Sequence, residues 1–454
     1  MPQASRTESE IVAAQYRAWV YPAPVPDMAE AIAGGYWDLC DPSLFRRKLW
    51  PRRAEPDHLE ILVAGCGTNQ AACYAFNNRD CRVVGLDLSD VSLGHQAYLK
   101  QKHGLENLEL VHMSLGDVAS LGRTFDLIVS TGVLHHLPDP DAGLRRLRDV
   151  LRPHGVVSAM VYGRYPRLGV YMMQEVFRVL GLRQDAQGIE LVKRAVVHDA
   201  PAWHHLRAYT RVAPDLGYDS GLVDTFLHPL DRAYTVPEVL RFARDNGLKL
   251  QSWLDKLDYS ITASIMDPEN PLRQRVGALP EEAQWQVVEL VAQSLATHRF
   301  LLCHPGRPES DYEPDFGGEA WLDYVPSLRP PGRISRPADA TEAGRAGTSP
   351  PWSDLVRRLA DLPRRWRGGE GAGAGPEAER GAAPEPPTLR RGWHAAPLTA
   401  FEAGLLEGVD GRRTIRELVG AAAPEGKGDG RPVAAARELF RCMADWDHVL
   451  FRIP

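Results

Sequence analysis

The chain has 454 residues, which at roughly 150 residues per domain points to about three domains. Lys and Arg number 53 against 59 Asp and Glu, a formal net charge of −6, so a nucleic-acid partner is disfavoured and would need a local basic patch. The six cysteines (Cys40, Cys66, Cys73, Cys81, Cys303, Cys442) form no C-x-x-C pair, which argues against a disulfide framework or a thiolate zinc site.

Residues 1–57 read as a helical lid segment ahead of the first domain. Their start carries acids and no apolar core of a signal peptide, and no run in the chain approaches about 18 uncharged apolar residues, so a soluble, cytoplasmic protein without a transmembrane segment is expected. From Leu59 to Tyr162 short apolar runs alternate with longer mixed segments, the pattern of a parallel sheet with crossover helices. The predicted strands are 59–64, 81–87, 107–112, 125–130 and 155–162, with helices over 69–77, 89–102 and 140–151. Two further runs, 247–254 and 297–304, would complete the sheet. The expected fold class is α/β: a Rossmann-like, doubly wound, mostly parallel seven-stranded sheet over 58–305, with a helical insertion at about 163–246 after strand five. Such an insertion lies beside the strand ends where open α/β sheets bind ligands.

Residues 306–392 gather much of the chain's Gly (40) and Pro (36) and are expected to form a largely disordered tether. Within it Trp352, Leu355, Leu359, Leu362 and Trp366 recur at helical spacing among arginines, so 352–367 reads as an amphipathic segment that docks on a partner or folds back on its own domain. A small, mainly helical domain is predicted at 393–454.

The chemistry concentrates at Val63-Ala64-Gly65-Cys66-Gly67-Thr68-Asn69-Gln70, a G-x-G turn between the first strand and the first helix. Glycine is needed where a Cβ would keep a ligand from the backbone, and the helix N-terminus adds a positive dipole end. Asp87 ends the second strand, 22 residues after Gly65, where a carboxylate can accept from both hydroxyls of a ribose. Asp117 follows the third strand and can accept from an adenine amine, with Val118 beside the ring.

These residues, followed by Phe125-Asp126-Leu127-Ile128-Val129-Ser130-Thr131-Gly132-Val133-Leu134-His135-His136-Leu137 and by Leu151-Arg152-Pro153-His154-Gly155, resemble the class I S-adenosylmethionine (SAM)-dependent methyltransferases. The segment Ile61-Leu62-Val63-Ala64-Gly65-Cys66-Gly67-Thr68, the Tyr21-Pro22 pair upstream and the run Asp224-Thr225-Phe226-Leu227-His228-Pro229 are similar to a bacterial branch of that superfamily. The resemblance implies SAM as cofactor, held by Gly65, Cys66, Gly67, Asp87, Leu88, Asp117, Val118, Ser130 and Thr131. Two positions depart from the superfamily pattern: Val63 stands where an acid is common, and Asn69 where a third glycine is usual.

His135 and His136 are the candidates for a general base, or alternatively cap the turn after strand four. Tyr16, Tyr21, Tyr162 and His228 are the candidates for lining an acceptor pocket. No metal is expected, because adjacent histidines point poorly for shared coordination. Motifs of amino-methylating DNA enzymes, C5-methylating enzymes and arginine methyltransferases are absent, which leaves a small-molecule or peptide acceptor. The turn Val409-Asp410-Gly411-Arg412-Arg413-Thr414-Ile415 resembles winged-helix, peptide-chaperone-like modules, implying a protein or peptide partner through 393–454. Two other readings stand beside the enzyme: a non-catalytic SAM-binding scaffold, and a nicotinamide oxidoreductase, which Gln70 in place of the third glycine of G-x-G-x-x-G disfavours.

Overall fold

The computed structural model describes residues 8–36, 40–53, 58–210, 213–265, 267–329, 333–335, 388–391, 394–422 and 431–454. The chain forms two compact units, Met1–Pro314 and Asp315–Pro454.

In the first unit, helices α1 (Glu8–Ala18), α2 (Met28–Ala33) and α3 (Pro42–Leu49) precede the sheet. The sheet is built on β1 (Glu60–Ala64), β2 (Arg82–Asp87), β3 (Leu108–His112), β4 (Phe125–Thr131) and β5 (Leu151–Gly163), which are parallel. Helices α4 (Gln70–Asn77), α5 (Asp90–His103) and α6 (Pro140–Asp149) supply the crossovers. Local chemistry sets their ends: Ser89 caps α5 by accepting from the Ser92 N–H, Gly104 closes it at φ +56°, and Asp139 with Pro140 opens α6. β1 and β4 are buried on both faces, so their alternate residues feed two cores. Leu62 and Ala64 pack on one side of the sheet, Ile61 and Val63 on the other.

Strand order is β3-β2-β1-β4-β5-β8-β7, where β7 is Lys249–Trp253 and β8, Thr297–Cys303, runs antiparallel to both neighbours. The direction of winding reverses at β1, so the C-terminal ends of β1 and β4 open a crevice at the switch point. Three details differ from expectation. An eighth strand, β6 (Ala233–Tyr234), pairs with the end of β5; at two residues it is too short to leave a periodic signal. Leu151 belongs to β5 rather than to the preceding helix, because a register shift opposite Phe125 and Leu127 lets the strand begin before Pro153. The insertion also ends early. Helices α7 (Leu168–Val179), α8 (Ala186–Arg194), α9 (Leu206–Thr210) and α10 (Asp219–Phe226) share a core of their own, whereas α11 (Val236–Asp245) packs Val239, Leu240 and Phe242 into the sheet core as a crossover.

The second unit contains a two-stranded antiparallel pair, β9 (Val325–Leu328) with β13 (Val449–Arg452), and a three-stranded sheet of β10 (Arg333–Ser335), β11 (Thr388–Arg391) and β12 (His394–Pro397). Helices Ala400–Glu407, Ile415–Ala422 and Arg431–Asp445 complete it. The expected tether at 306–392 is thereby corrected at its start. Val325–Leu328 is an ordered strand whose partner lies over a hundred residues away, and Phe451 on that partner packs against Phe316, Tyr324 and Phe440. The 352–367 segment lies outside the described residues. Among the described residues no helix is long and apolar enough to cross a membrane.

Candidate active site

The G-x-G turn is held from three directions. Gly65 and Gly67 take φ of +76° and +53°, conformations that side chains disfavour, while the Gly65 and Cys66 N–H groups both donate to the Leu86 carbonyl. Gln96, fully buried on α5, donates from Nε2 to the Cys66 and Gly67 carbonyls and accepts from the Ala72 N–H. Asp87 accepts from the Gly67 N–H at 2.8 Å on one oxygen and from the Ser89 N–H at 2.8 Å on the other. Each carboxylate oxygen keeps a lone pair, so the ribose-binding role expected of Asp87 is compatible with its bonds to the turn. Burial raises the Asp87 carboxyl above its ordinary range, partly offset by those N–H donors.

Chain bends over this turn from the N-terminal side. The Thr68 hydroxyl donates to the Pro22 carbonyl at 2.9 Å; Asn69 accepts from the Val25 N–H at 2.9 Å and donates to the Ala23 carbonyl at 2.9 Å. Asn69 thus does not stand in for a glycine: its φ is −132°, and its amide straps residues 22–25 across the turn. Val63, at the position of the common acid, is fully buried in the sheet core.

The other proposed cofactor residues divide by exposure. Asp117 is exposed and Val118 fully buried in the short turn Leu115–Leu121, and Leu88 is half-buried beside Asp87. Thr131 is exposed at the end of β4, with its hydroxyl accepting from Gln70 Nε2 at 3.1 Å. Ser130 and Cys66 are buried: the Ser130 hydroxyl has no partner, and the Cys66 sulfur faces Gly85. Their side chains therefore point into the fold, and only their backbone can meet a ligand.

A Cβ on Gly65 would lie 2.3 Å from Val133 Cγ2, in addition to the strain of a positive φ. Gly65→Ala should therefore cost about 1–3 kcal/mol of stability in denaturant unfolding. Gly94→Ala on α5, with nothing within 4 Å of the new Cβ, should be neutral or slightly stabilising.

The acceptor-pocket candidates converge at the same edge of the sheet. Tyr16 on α1 donates to Asp224 Oδ1 at 3.0 Å, and Tyr162 near the end of β5 donates to Asp224 Oδ2 at 3.1 Å. Asp224 sits on α10 and is 2% exposed. Three histidines complete the cluster. Ring centroids run from Tyr162 to His135 at 4.0 Å, His135 to His136 at 4.2 Å, His136 to His228 at 3.9 Å and His228 to Tyr16 at 5.9 Å. Tyr21 stacks on Tyr218 at 6.4 Å and acts electrostatically on Tyr16 and Tyr162. Behind the cluster, Arg167 lies 3.7 Å from the Tyr162 ring centroid and donates at 2.8 Å to Asp231 and to the Tyr209 hydroxyl. Burial works against this guanidinium's charge, but Asp231 and the surrounding tyrosines outweigh it and hold its pKa well above the ordinary value.

Electrostatics join the two halves of the site. Burial and Asp224 raise the Tyr16 phenol well above its ordinary value, with smaller contributions from Tyr21 and from Asp87. Burial also raises the Asp224 carboxyl, against the opposing effect of His136 and the two phenols. His135 and His228 are both held neutral, chiefly by burial and then by His136; the pKa of His228 falls to about 2.

The two depressed histidines carry a pH signature. Below their unfolded pKa, near 6.5, the unfolded chain takes up protons that the fold refuses, so stability falls as pH drops through that value. The slope is up to about 1.4 kcal/mol per pH unit for each histidine. Denaturation midpoints of the wild type and His228→Gln at successive pH values below 6.5 should differ by about one proton in slope; identical slopes would contradict the buried neutral state.

Hydrogen bonding separates the histidines by role. His136 Nδ1 lies 2.6 Å from the Leu230 carbonyl, so Nδ1 carries the proton and Nε2 keeps a lone pair. His228 is the opposite: its Nδ1 accepts from the Leu230 N–H at 3.0 Å, which puts the proton on Nε2. Both nitrogens of His135 are buried without a partner. His136, Asp224 and His228 each offer one atom within 4.8 Å of the others, the spacing of a metal site. With its Nδ1 accepting from the Leu230 N–H, His228 carries its proton on Nε2, and a metal there would have to displace it.

The sequence reading missed Asp224, although its run was noted, and also Gln96, Arg167 and Asp231. Asp224 lies 208 residues from Tyr16, and no local pattern marks it.

Comparison with known proteins agrees with this geometry. Residues 62–157 match the methyltransferase domain family. An uncharacterized protein of Synechococcus is 28% identical over 313 residues, 67% of this chain and 74% of that one. The tRNA 5-carboxymethoxyuridine methyltransferase of Escherichia coli K12 is 35% identical over 112 residues, 24% of this chain and 42% of that protein. Trans-aconitate 2-methyltransferase of Deinococcus radiodurans is 34% identical over 108 residues, 24% of this chain and 39% of that protein. The chain thus spans less than half the length of these two named relatives. Among solved structures, PKMT2 from Rickettsia typhi superposes with a TM-score of 0.59 at 14% identity, over 90% of this chain and 74% of that one, a likeness of fold.

Fold, turn and relatives define a class I SAM-dependent methyltransferase domain. The chain thus carries a SAM-dependent methyltransferase domain, with SAM as the cofactor of that domain.

Proposed function

We propose that the protein transfers the methyl group of SAM to a small-molecule or peptide acceptor held among Tyr16, Tyr162, His136, Asp224 and His228. SAM brings a methyl group already activated on a sulfonium, so the chain's task is to align a nucleophile and to take its proton. The Gly65–Gly67 turn and Asp87 would hold the cofactor, with Asp117 and Val118 at the adenine. His136 is the proton acceptor in this reading, because the Leu230 carbonyl fixes its tautomer with Nε2 free. His135 serves as packing next to it. Residues 22–25 cross the cofactor turn while Tyr16 on the same N-terminal segment reaches Asp224, so one stretch of chain closes both halves of the site.

The observation that carries this reading is the convergence of α1, β5, α10 and the turn after β4 on one buried carboxylate beside the cofactor turn. The names of two relatives refer to a tRNA uridine derivative and to trans-aconitate, a nucleotide base and a small molecule, which supports an acceptor of either kind. The near-balanced charge of −6 favours the small molecule or peptide. Incubation of the full chain with methyl-labelled SAM and fractionated cell extract tests the proposal: label should pass to a small molecule or peptide. Binding of SAM with no transfer to any fraction would instead support a scaffold.

A further inference from the structure

We infer that the acceptor atom is the nitrogen of an amine, a deepening that rests on the pocket assignment above. The argument is an inventory of what the pocket leaves unpaired. Each oxygen of Asp224 takes one phenolic hydrogen and retains a lone pair. His136 Nε2 has a lone pair and makes no hydrogen bond among the described residues. The hydroxyl hydrogens of Tyr16 and Tyr162 are already committed to Asp224, and the His228 N–H lies 3.5 Å from the Tyr16 oxygen. Acceptors therefore outnumber free donors, and the pocket holds a carboxylate.

An amine satisfies that inventory and an anion does not. A carboxylate or phosphate acceptor would meet Asp224 like charge to like charge, and Arg167 is not placed to offset it: its terminal nitrogens are held by Asp231 and Tyr209 behind the Tyr162 ring and its side chain is 1% exposed. A phenol or alcohol offers one hydrogen where several lone pairs wait. A protonated amine offers three and carries the charge that complements Asp224.

The step balances as follows. The ammonium gives one proton to His136 Nε2, the freed nitrogen lone pair forms the N–C bond, and the C–S bond breaks with its electron pair left on sulfur. The products are neutral S-adenosylhomocysteine and a methylammonium whose positive charge stays beside Asp224.

The test uses the full chain, SAM labelled with carbon-13 in the methyl group, and the extract fraction that accepts label. The expected product methyl signal moves with pH as an amine titrates. A methyl signal at the position of an ester or ether, or one that does not move with pH, overturns the inference. Failure to form any methylated product removes the pocket assignment itself, a distinct outcome that takes the inference with it. With the accepted amine in hand, Asp224→Asn should raise KM for that amine at least tenfold while the affinity for S-adenosylhomocysteine, measured by calorimetry, stays within about twofold. An unchanged KM in a variant that still binds S-adenosylhomocysteine would equally overturn it.

Discussion

His136→Ala should lower kcat by about 10²–10⁴, the range that a positioned general base supplies, and leave the affinity for S-adenosylhomocysteine nearly unchanged. The expectation follows from the tautomer. With Nδ1 bonded to the Leu230 carbonyl, the Nε2 lone pair is the one unoccupied basic atom of the histidine set held in a fixed direction. His135, by contrast, is buried and kept neutral, and substitution to Phe should affect packing more than turnover. Rates for the two variants with one acceptor, with calorimetry as a check on folding, separate the roles. A larger loss of kcat from His135→Phe than from His136→Ala would reverse the assignment.

The largest loss of stability should come from Arg167→Met, about 3–5 kcal/mol, because it strands a buried carboxylate. The side chains of Arg167 and Asp231 are 1% and 2% exposed and meet at 2.8 Å. Asp231 also accepts from Gln174 Nε2 at 2.9 Å and from the Tyr171 hydroxyl at 3.3 Å, bonds that partly satisfy it yet carry no positive charge. Removing both charges should recover much of the loss, since the cost lies in the unpaired ion more than in the missing attraction. Denaturant unfolding of Arg167→Met and of the double variant Arg167→Met with Asp231→Asn checks this; equal destabilisation by both would show that packing of Arg167 on the Tyr162 ring is the larger contribution.

The central sheet was legible because its signals are local. Apolar runs ending at Ala64, Asp87 and Thr131 alternate with capped helices, and the glycines at 65 and 67 announce a turn that needs positive φ. What sequence could not show is what distant segments do to each other. Asn69 read as a flaw in a glycine pattern and proves to be the anchor of residues 22–25. Asp224 sits in an otherwise ordinary helix, and only its burial between Tyr16 and Tyr162 gives it chemical weight. Likewise Val325–Leu328, with Pro326 inside it, has the composition of a loop; as one strand of a two-stranded pair it needs few ladder bonds, so the proline is tolerated. Of the four residues expected to line the acceptor pocket, Tyr16, Tyr162 and His228 meet around Asp224, while Tyr21 packs one residue before the strap.

The account stands on the cofactor site formed by the G-x-G turn and the acid after β2, and calorimetric titration of S-adenosylhomocysteine into the wild type and Asp87→Ala tests it most directly. Asp87 accepts from the turn itself and is the one carboxylate at the end of β2, so its loss should weaken binding about 10–100-fold, the worth of one to two charged hydrogen bonds. Equal affinity of the two proteins would contradict the placement of the cofactor.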